Sequence, residues 1–153
     1  MRIRRVLFGL VAIGALALAS SAFAQSARSS KATIVMTRKT SLGTILVTSA
    51  GRSLYLDTAD KSGHPACTGS CLSIWPPLKA TGTVKAEGGA KAANLGTTKI
   101  AGGIKQVTYK GHPLYTFDSD TKSGQTNGEG QNGFDVVSPS GSKITKKTSP
   151  SGY

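Results

Sequence analysis

The sequence is poor in the residues from which enzymes build active sites. Its 153 residues include two histidines, two cysteines, one tryptophan and seven acidic residues. The nucleophile elbow, the zinc-binding helix motif, the phosphate-binding loop and the dinucleotide fingerprint are all missing from it. Because general acids and bases are few and form no recognisable constellation, the sequence predicts a protein that is not an enzyme.

The sequence also lacks an apolar run long enough to cross a membrane. The longest, residues 6–19, falls short of the roughly 20 residues that a spanning helix needs. It follows three arginines and precedes an A-x-A site at residues 22–24, which is the pattern of a cleaved signal peptide. We therefore predict that residues 1–24 are removed on secretion. No cysteine lies near this site, so we expect a soluble periplasmic or extracellular protein without a lipid anchor.

Acidic residues are scarce relative to basic ones. The net charge is +12, and removing the three arginines of the signal peptide leaves +9. Such a charge favours anionic partners, so we expect anionic cell-envelope polymers or an envelope protein as candidate partners. The lysines are spaced singly, and arginines do not alternate with aromatic residues as they do in single-strand binders, so no specific nucleic-acid binding is predicted.

Helical periodicity is absent, and short strand-forming runs take its place. Residues 86–96 contain alanines but also three glycines, and they predict at most a short helical turn. Apolar β-forming runs separated by turn residues occupy residues 33–37, 44–48, 53–56, 97–100, 104–109, 114–117 and 134–137. We predict an all-β domain over residues 33–145, between a flexible leader at residues 25–32 and a flexible tail at residues 146–153.

Four hairpins are predicted from these runs. The first joins residues 44–48 to 53–56 through Ser-Ala-Gly-Arg, and the second joins residues 106–109 to 114–117 through Lys-Gly-His-Pro. Another turns at Ala-Gly-Gly, residues 101–103, and the last turns at Ser-Pro-Ser-Gly after residues 134–137. Since Pro113 has no N–H group, we expect it to begin a strand or to lie on a sheet edge.

One segment of the sequence is repeated. Six identities are each separated by 60 positions, without a gap: Val47 and Val107, Thr48 and Thr108, Gly51 and Gly111, Leu54 and Leu114, Tyr55 and Tyr115, and Asp60 and Asp120. A lone hairpin is marginally stable and needs further strands over its apolar face. We therefore predict two tandem β-hairpin-based repeats, at about residues 42–80 and 102–141, packed as one small antiparallel domain.

The repeated tyrosine and aspartate have predicted structural roles. Strand periodicity puts Tyr115 and Phe117 on one face and Leu114 on the other, and the same holds in the first copy for Tyr55 against its neighbouring leucines. Asp60 and Asp120 fall just past the strands. There, a carboxylate can accept hydrogen bonds from backbone N–H groups of the next loop, or from a tyrosine hydroxyl. The alternative role for these aspartates is as cation ligands, but their spacing is not that of a calcium-binding loop.

Both cysteines lie in one segment, HPACTGSCLSIWPPL, residues 64–78. In an oxidising compartment, Cys67 and Cys71 are expected to form a local disulfide that fixes the path to a buried Trp75, with the two following prolines ending a strand. Two alternatives stay open. A copper site could combine His64, Cys67, Cys71 and His112. A redox-active dithiol is the other, although the spacing is not Cys-x-x-Cys.

The repeated segments resemble a bacterial family of secreted repeats and predicted lipoproteins that carries a Yx(FWY)xxD motif. Tyr115-Thr116-Phe117-Asp118-Ser119-Asp120 satisfies the motif, whereas the first copy has Asp57 where an aromatic residue is expected. The segments CTGSC followed by WPPL, and QVTYKGHPLY, are also similar to recurring segments of that family. The likeness covers about residues 42–141 and implies a secreted β-rich repeat protein with no assigned biochemical role.

These observations lead to one expected function and one alternative. We expect a secreted or periplasmic, non-catalytic β-repeat protein that acts as a binding or envelope-associated structural module and needs no cofactor. The alternative is a carrier of copper or another metal, or an electron-transfer accessory, that uses the two cysteines and the histidines. No pattern in the sequence sets the ligand or the oligomeric state.

Overall fold

The computed structural model describes residues 31–144. The predicted signal peptide at residues 1–24, residues 25–30 of the predicted leader and the predicted tail at residues 146–153 lie outside this range. Among the described residues, no helix has the length and apolar character that a membrane crossing requires.

The regular secondary structure of the described residues consists almost entirely of short strands, which confirms the all-β prediction. The strands are β1 Thr33–Thr40, β2 Gly43–Thr48, β3 Tyr55–Asp57, β4 Val84–Ala86, β5 Leu95–Lys99, β6 Lys105–Tyr109, β7 His112–Pro113 and β8 Phe134–Val136. One helical turn, α1, covers Cys71–Ile74, and two 3-10 turns cover Ala92–Asn94 and Ala101–Gly103. The glycines of residues 86–96 limit that segment to a single 3-10 turn, as predicted.

The strands form three small sheets, with the orders β2-β1-β4, β3-β8 and β5-β6-β7. All pairs are antiparallel except β1 with β4, which run parallel in the register Val35 to Ala86. The prediction of an antiparallel domain is therefore correct for four of the five strand pairs. The parallel pair arises because a long connection returns the chain to the β1 edge in the direction of β1 itself.

Three of the four predicted hairpins have the predicted turn. The β5–β6 hairpin closes at Ala101–Gly103, where Ile100 N–H donates to Ile104 C=O at 2.9 Å. After β2, the chain reverses so that Thr48 N–H donates to Arg52 C=O at 2.9 Å. After β8, Ser138 N–H donates to Ser142 C=O at 2.8 Å. In each case a glycine-containing turn joins two short β-forming runs, as the sequence indicates.

The predicted strand at residues 114–117 is wrong. The regular strand is His112–Pro113, and the turn before it consists of Lys110 and Gly111 alone, with φ of 52° and 84°. Two residues with positive φ form the tight primed turn that matches strand twist, so the strand begins two residues earlier than expected. The chain then leaves β6 to contact the first repeat. Pro113 lies on the edge strand of its sheet, as predicted.

Two clusters of buried side chains form the interior. We call the first the aromatic core; it contains Ile45, Val47, Tyr55, Cys67, Trp75, Tyr115, Phe117, Phe134 and Val136. The second, the aliphatic core, contains Val35, Leu46, Leu54, Leu56, Val107, Tyr109, Leu114 and Val137. Alternation along the chain sends Tyr55 and Tyr115 to one cluster and their leucine neighbours to the other, which confirms the predicted faces.

Candidate functional site

The two repeats meet at their equivalent tyrosines. Tyr55 N–H donates to Tyr115 C=O, and Tyr115 N–H donates to Tyr55 C=O, both at 2.9 Å. These two residues form an isolated antiparallel bridge between Tyr55 of β3 and Tyr115, which lies two residues after β7. Because the partners are equivalent residues of the two copies, the bridge relates the repeats by a local two-fold arrangement.

The tyrosine side chains cross to the opposite repeat. Tyr55 Oη donates to Asp120 Oδ2 at 2.6 Å, and Tyr115 Oη donates to Asp60 Oδ1 at 3.3 Å. Each repeated aspartate therefore accepts a hydrogen bond from the tyrosine of the other copy. The sequence predicted a carboxylate that accepts from a tyrosine hydroxyl, but only the tertiary structure shows that the bond joins the two repeats.

Both aspartates also hold the loops that follow them. Asp60 Oδ1 accepts a hydrogen bond from Ala66 N–H at 2.6 Å, and Asp120 Oδ1 accepts one from Asn127 N–H at 2.9 Å. In the second repeat, Gly128 N–H donates to the Tyr55 hydroxyl at 3.3 Å and extends the network. Each carboxylate thus links a loop of its own repeat to a tyrosine of the other.

We call Tyr55–Asp120 and Tyr115–Asp60 the crossed pairs, and the two differ in burial. Asp120 is 2% exposed and both of its carboxylate oxygens accept hydrogen bonds. Asp60 is half-buried, and its Oδ2 atom is buried without a hydrogen-bond partner. Burial raises the pKa of the Asp60 carboxyl above its ordinary value, and the neighbouring Asp57 carboxylate raises it further. The first-repeat aspartate is therefore the less well satisfied of the two.

The crossed pairs predict a specific alkaline transition. Burial first, and then the adjacent carboxylates, raise the pKa of Tyr55 and of Tyr115 above the ordinary value of 10.0. A tyrosine whose pKa is raised by folding contributes stability that is complete below its unfolded pKa and is lost as pH rises through the folded one. We expect the free energy of unfolding to fall above pH 10 by about 1.4 kcal/mol per pH unit for each of these tyrosines.

Tyrosinate absorbance measured together with circular dichroism tests this expectation. Tyr55 and Tyr115, two of the four tyrosines in the chain, should ionise only as the β structure is lost. In the Tyr55→Phe protein, one tyrosine fewer should ionise together with the loss of β structure. Reversible ionisation of all four tyrosines in a folded protein would contradict the prediction.

Trp75 is the centre of the aromatic core. Its ring stacks on Phe134 with centroids 3.9 Å apart, lies 4.6 Å from Phe117, and contacts Tyr55 edge-on at 5.3 Å. Gly128 packs directly against this group, since a Cβ there would lie 2.7 Å from Trp75 and 2.9 Å from Phe117. A glycine is required at this close approach, and nothing in the local sequence identifies it.

The cysteine segment positions Trp75. Cys67 and Cys71 form a disulfide with their Cα atoms 5.5 Å apart. The segment from Cys71 to Ile74 is helical rather than extended, and Trp75 N–H donates to Cys71 C=O at 2.8 Å. The prediction of a strand ended by prolines is therefore wrong. A short disulfide loop leads into one helical turn, which directs the tryptophan into the core.

The residues of the copper alternative are not assembled as a metal site. Both sulfurs bond to each other, so neither is a thiolate ligand. His64 is exposed, and its Nδ1 lies 2.8 Å from Ser62 C=O. Among residues 31–144, no group of three or more His, Cys, Asp or Glu residues is arranged to hold a metal ion.

The first repeat carries a cleft next to its motif. Asp57 takes the place that Phe117 has in the second repeat, and it is 6% exposed. A cavity of about 500 Å³, which we call the first-repeat cleft, is lined by Leu56, Asp57, Thr58, Asp60, Lys110, His112, Gly141, Ser142 and Lys143. The motif residue Asp60 and His112 of the copper alternative thus share this cleft, whereas Cys67 and Cys71 do not line it.

Comparison with known proteins agrees with the internal repeat. A family model described as a secreted repeat of unknown function matches residues 36–79 and again residues 96–137, together more than half of the chain. The chain belongs to this secreted-repeat family. A search of curated proteins and a search of solved structures each return no match.

Membership of the secreted-repeat family confirms the resemblance that the motifs indicate. The two matched segments begin 60 residues apart, which is the spacing of the six identities, and each begins earlier than the repeat bounds predicted from the sequence. The structure also shows two charged side chains outside the motifs that form hydrogen bonds with backbone groups of the second repeat. Arg52 donates through Nη2 to Phe117 C=O at 2.6 Å, and Glu129 Oε2 accepts from Val136 N–H at 2.7 Å. Neither residue belongs to a pattern that the sequence repeats.

Proposed function

We propose that this secreted-repeat protein is a non-catalytic module that binds anionic polymers of the cell envelope. The observation that carries the proposal is the unequal exposure of acidic and basic side chains. Five of the seven acidic residues are buried or half-buried, and only Glu87 and Asp118 are exposed. The surface is therefore more positive than the net charge of the chain indicates.

The less exposed acids are engaged within the protein. Asp57 Oδ1 accepts a hydrogen bond from Ala59 N–H at 2.9 Å, and Asp135 forms an ion pair with Lys143 at 3.5 Å. Asp60 and Asp120 serve the crossed tyrosine pairs. Carboxylates used in this way stabilise loops and strands, which supports a structural role for them over a catalytic one.

The lysines, by contrast, face solvent. All eleven lysines among residues 31–144 are exposed, and within that part of the chain Lys143 is the only one that pairs with a carboxylate. Many unpaired cations on a small domain produce a positive surface potential that attracts polyanions and is screened by salt. This charge distribution favours an extended anionic partner over a single small ligand.

Salt-dependent binding to isolated cell-wall material tests the proposal. The wild-type protein should be retained at about 0.05 M salt and released by about 0.5 M, because the Debye length shortens several-fold. Replacement of Lys85, Lys91, Lys99 and Lys105 by glutamine should move release to lower salt, and replacement of the same four by arginine should not. The proposal would be ruled out if the protein failed to bind at low salt, or if its retention changed neither with salt nor with the glutamine replacements.

A further inference from the structure

The first-repeat cleft joins three separate segments of the chain. One wall comes from the end of β3 and the loop after it, with Asp57 and Asp60. The other parts come from the β6–β7 turn and the start of β7, with Lys110 and His112, and from the terminal hairpin, with Lys143. Acidic and basic residues therefore line the same cavity but belong to different elements.

The acidic side chains of the cleft are held in place from within their own loop. Asp57 is nine-tenths buried, and its Oδ1 atom accepts a hydrogen bond from Ala59 N–H. Asp60 is fixed through Oδ1 by Ala66 N–H and the Tyr115 hydroxyl, while its Oδ2 is buried without a hydrogen-bond partner. Asp57 therefore retains acceptor capacity that a cationic donor would satisfy, and the negative charge of Asp60 lies beside it.

The basic side chains are held in place as well. The stem of Lys110 lies over Gly141, where an added Cβ would come within 2.9 Å of Lys110 Cβ and 3.0 Å of its Cδ. The ammonium group of Lys143 is 3.5 Å from Asp135. Because the Lys110 stem packs against the terminal hairpin, less side-chain entropy is lost there when a ligand binds.

The acids and the bases of the cleft do not neutralise each other. In the described part of the chain, the only ion pair is that between Lys143 and Asp135, so neither Asp57 nor Asp60 lies within 4.0 Å of a cationic nitrogen. Opposite charges that line one cleft without pairing with each other are complementary to a ligand that carries both charges. The repeat that keeps the aromatic residue, Phe117, has a ring in the aromatic core at the corresponding place.

We propose that the first-repeat cleft binds a small zwitterion, with a primary ammonium group toward Asp57 and Asp60 and a carboxylate toward Lys110 and Lys143. Free amino acids and short peptides are this chemical class. A cavity of about 500 Å³ accommodates a molecule of dipeptide size. The inference is independent of polymer binding, which depends on lysines distributed over the whole surface.

Nuclear magnetic resonance titration with alanyl-alanine tests the proposal on the full secreted chain. We expect saturable shifts of the amide signals of residues 57–60, 110–112 and 141–143. N-acetyl-alanyl-alanine lacks the ammonium group and alanyl-alanine amide lacks the carboxylate, so each should bind at least about tenfold more weakly. Equal binding of either analogue, or no shifts with alanyl-alanine, would overturn the proposal.

Paired variants locate the binding in the cleft. Asp57→Asn and Lys110→Gln should each weaken alanyl-alanine binding by about tenfold or more, whereas the exposed controls Asp118→Asn and Lys85→Gln should not. Ser142→Tyr places a ring at an exposed cleft position and should abolish binding, with a thermal melt confirming that the variant is folded. Undiminished binding by folded Ser142→Tyr protein would overturn the site. Asp57→Asn should leave salt-dependent polymer retention intact, so the two proposals fail separately.

Discussion

Replacement of Asp120 by alanine is expected to lower the free energy of unfolding by about 3 to 5 kcal/mol. The carboxylate is 2% exposed and accepts hydrogen bonds from Tyr55 Oη at 2.6 Å and from Asn127 N–H at 2.9 Å. A hydrogen bond to a charged group contributes about 1.5 to 3 kcal/mol, and donors left buried without partners add a desolvation cost. Urea denaturation followed by tryptophan fluorescence gives the measurement.

Asp60→Ala is the matched control for this prediction, because Asp60 is the equivalent residue of the other repeat. Its tyrosine bond is longer, at 3.3 Å, it is half-buried, and one oxygen has no hydrogen-bond partner. We expect a loss of about 1 to 2 kcal/mol. If the two variants were equally stable, the difference in burial between the crossed pairs would not govern their contributions, and the asymmetry that we infer between the repeats would be wrong.

Replacement of Trp75 by alanine is the second change with a large expected effect. The ring is 2% exposed and contacts Phe134, Phe117 and Tyr55. Truncation of a buried tryptophan costs about 3 to 5 kcal/mol, because apolar contacts are lost and a cavity remains. A domain of this size has a net stability of about 5 to 15 kcal/mol, so the variant should be close to unfolding at physiological temperature. Denaturation followed by far-ultraviolet circular dichroism avoids the lost fluorophore.

Ile74, the residue before Trp75, provides a control for the Trp75→Ala prediction. Ile74 is the one large apolar residue classed as exposed among residues 31–144, with 48% of its surface accessible. Ile74→Ala should therefore change the free energy of unfolding by no more than about 0.5 kcal/mol. A large loss for Ile74→Ala, or a small one for Trp75→Ala, would show that the disulfide segment does not act mainly by burying the tryptophan ring.

The stabilising residues and the proposed binding residues are largely separate in this protein. The aromatic core includes Phe117, the aromatic residue of the intact motif in the second repeat, and Tyr55, which pairs with Asp120. The first-repeat cleft lies where the motif departs at Asp57. The same position of the motif thus carries a core aromatic ring in one repeat and a carboxylate that lines a cleft in the other.

Hairpin positions were predictable where glycine and apolar alternation act over short distances. The turn at Ala101–Gly103 and the opposite faces of Tyr55 and Leu54 follow from residues within a few positions of one another. The strand at residues 114–117 was predicted wrongly, because Tyr115 pairs with Tyr55, which lies far away in sequence, instead of continuing along β6. The helical turn at Cys71–Ile74 was missed because four residues are too few to show a helical period.

By itself, the sequence determined the all-β class, the duplication and the membership of a secreted-repeat family, because these depend on local periodicity, turn residues and motifs repeated at a fixed spacing. Only the tertiary structure decided which tyrosine bonds to which aspartate, which charges face solvent, and that Asp57, Lys110 and Lys143 share one cleft. Those relations join residues that are distant in the chain. Packing of the two repeats against each other creates them, and no pattern along either repeat contains them.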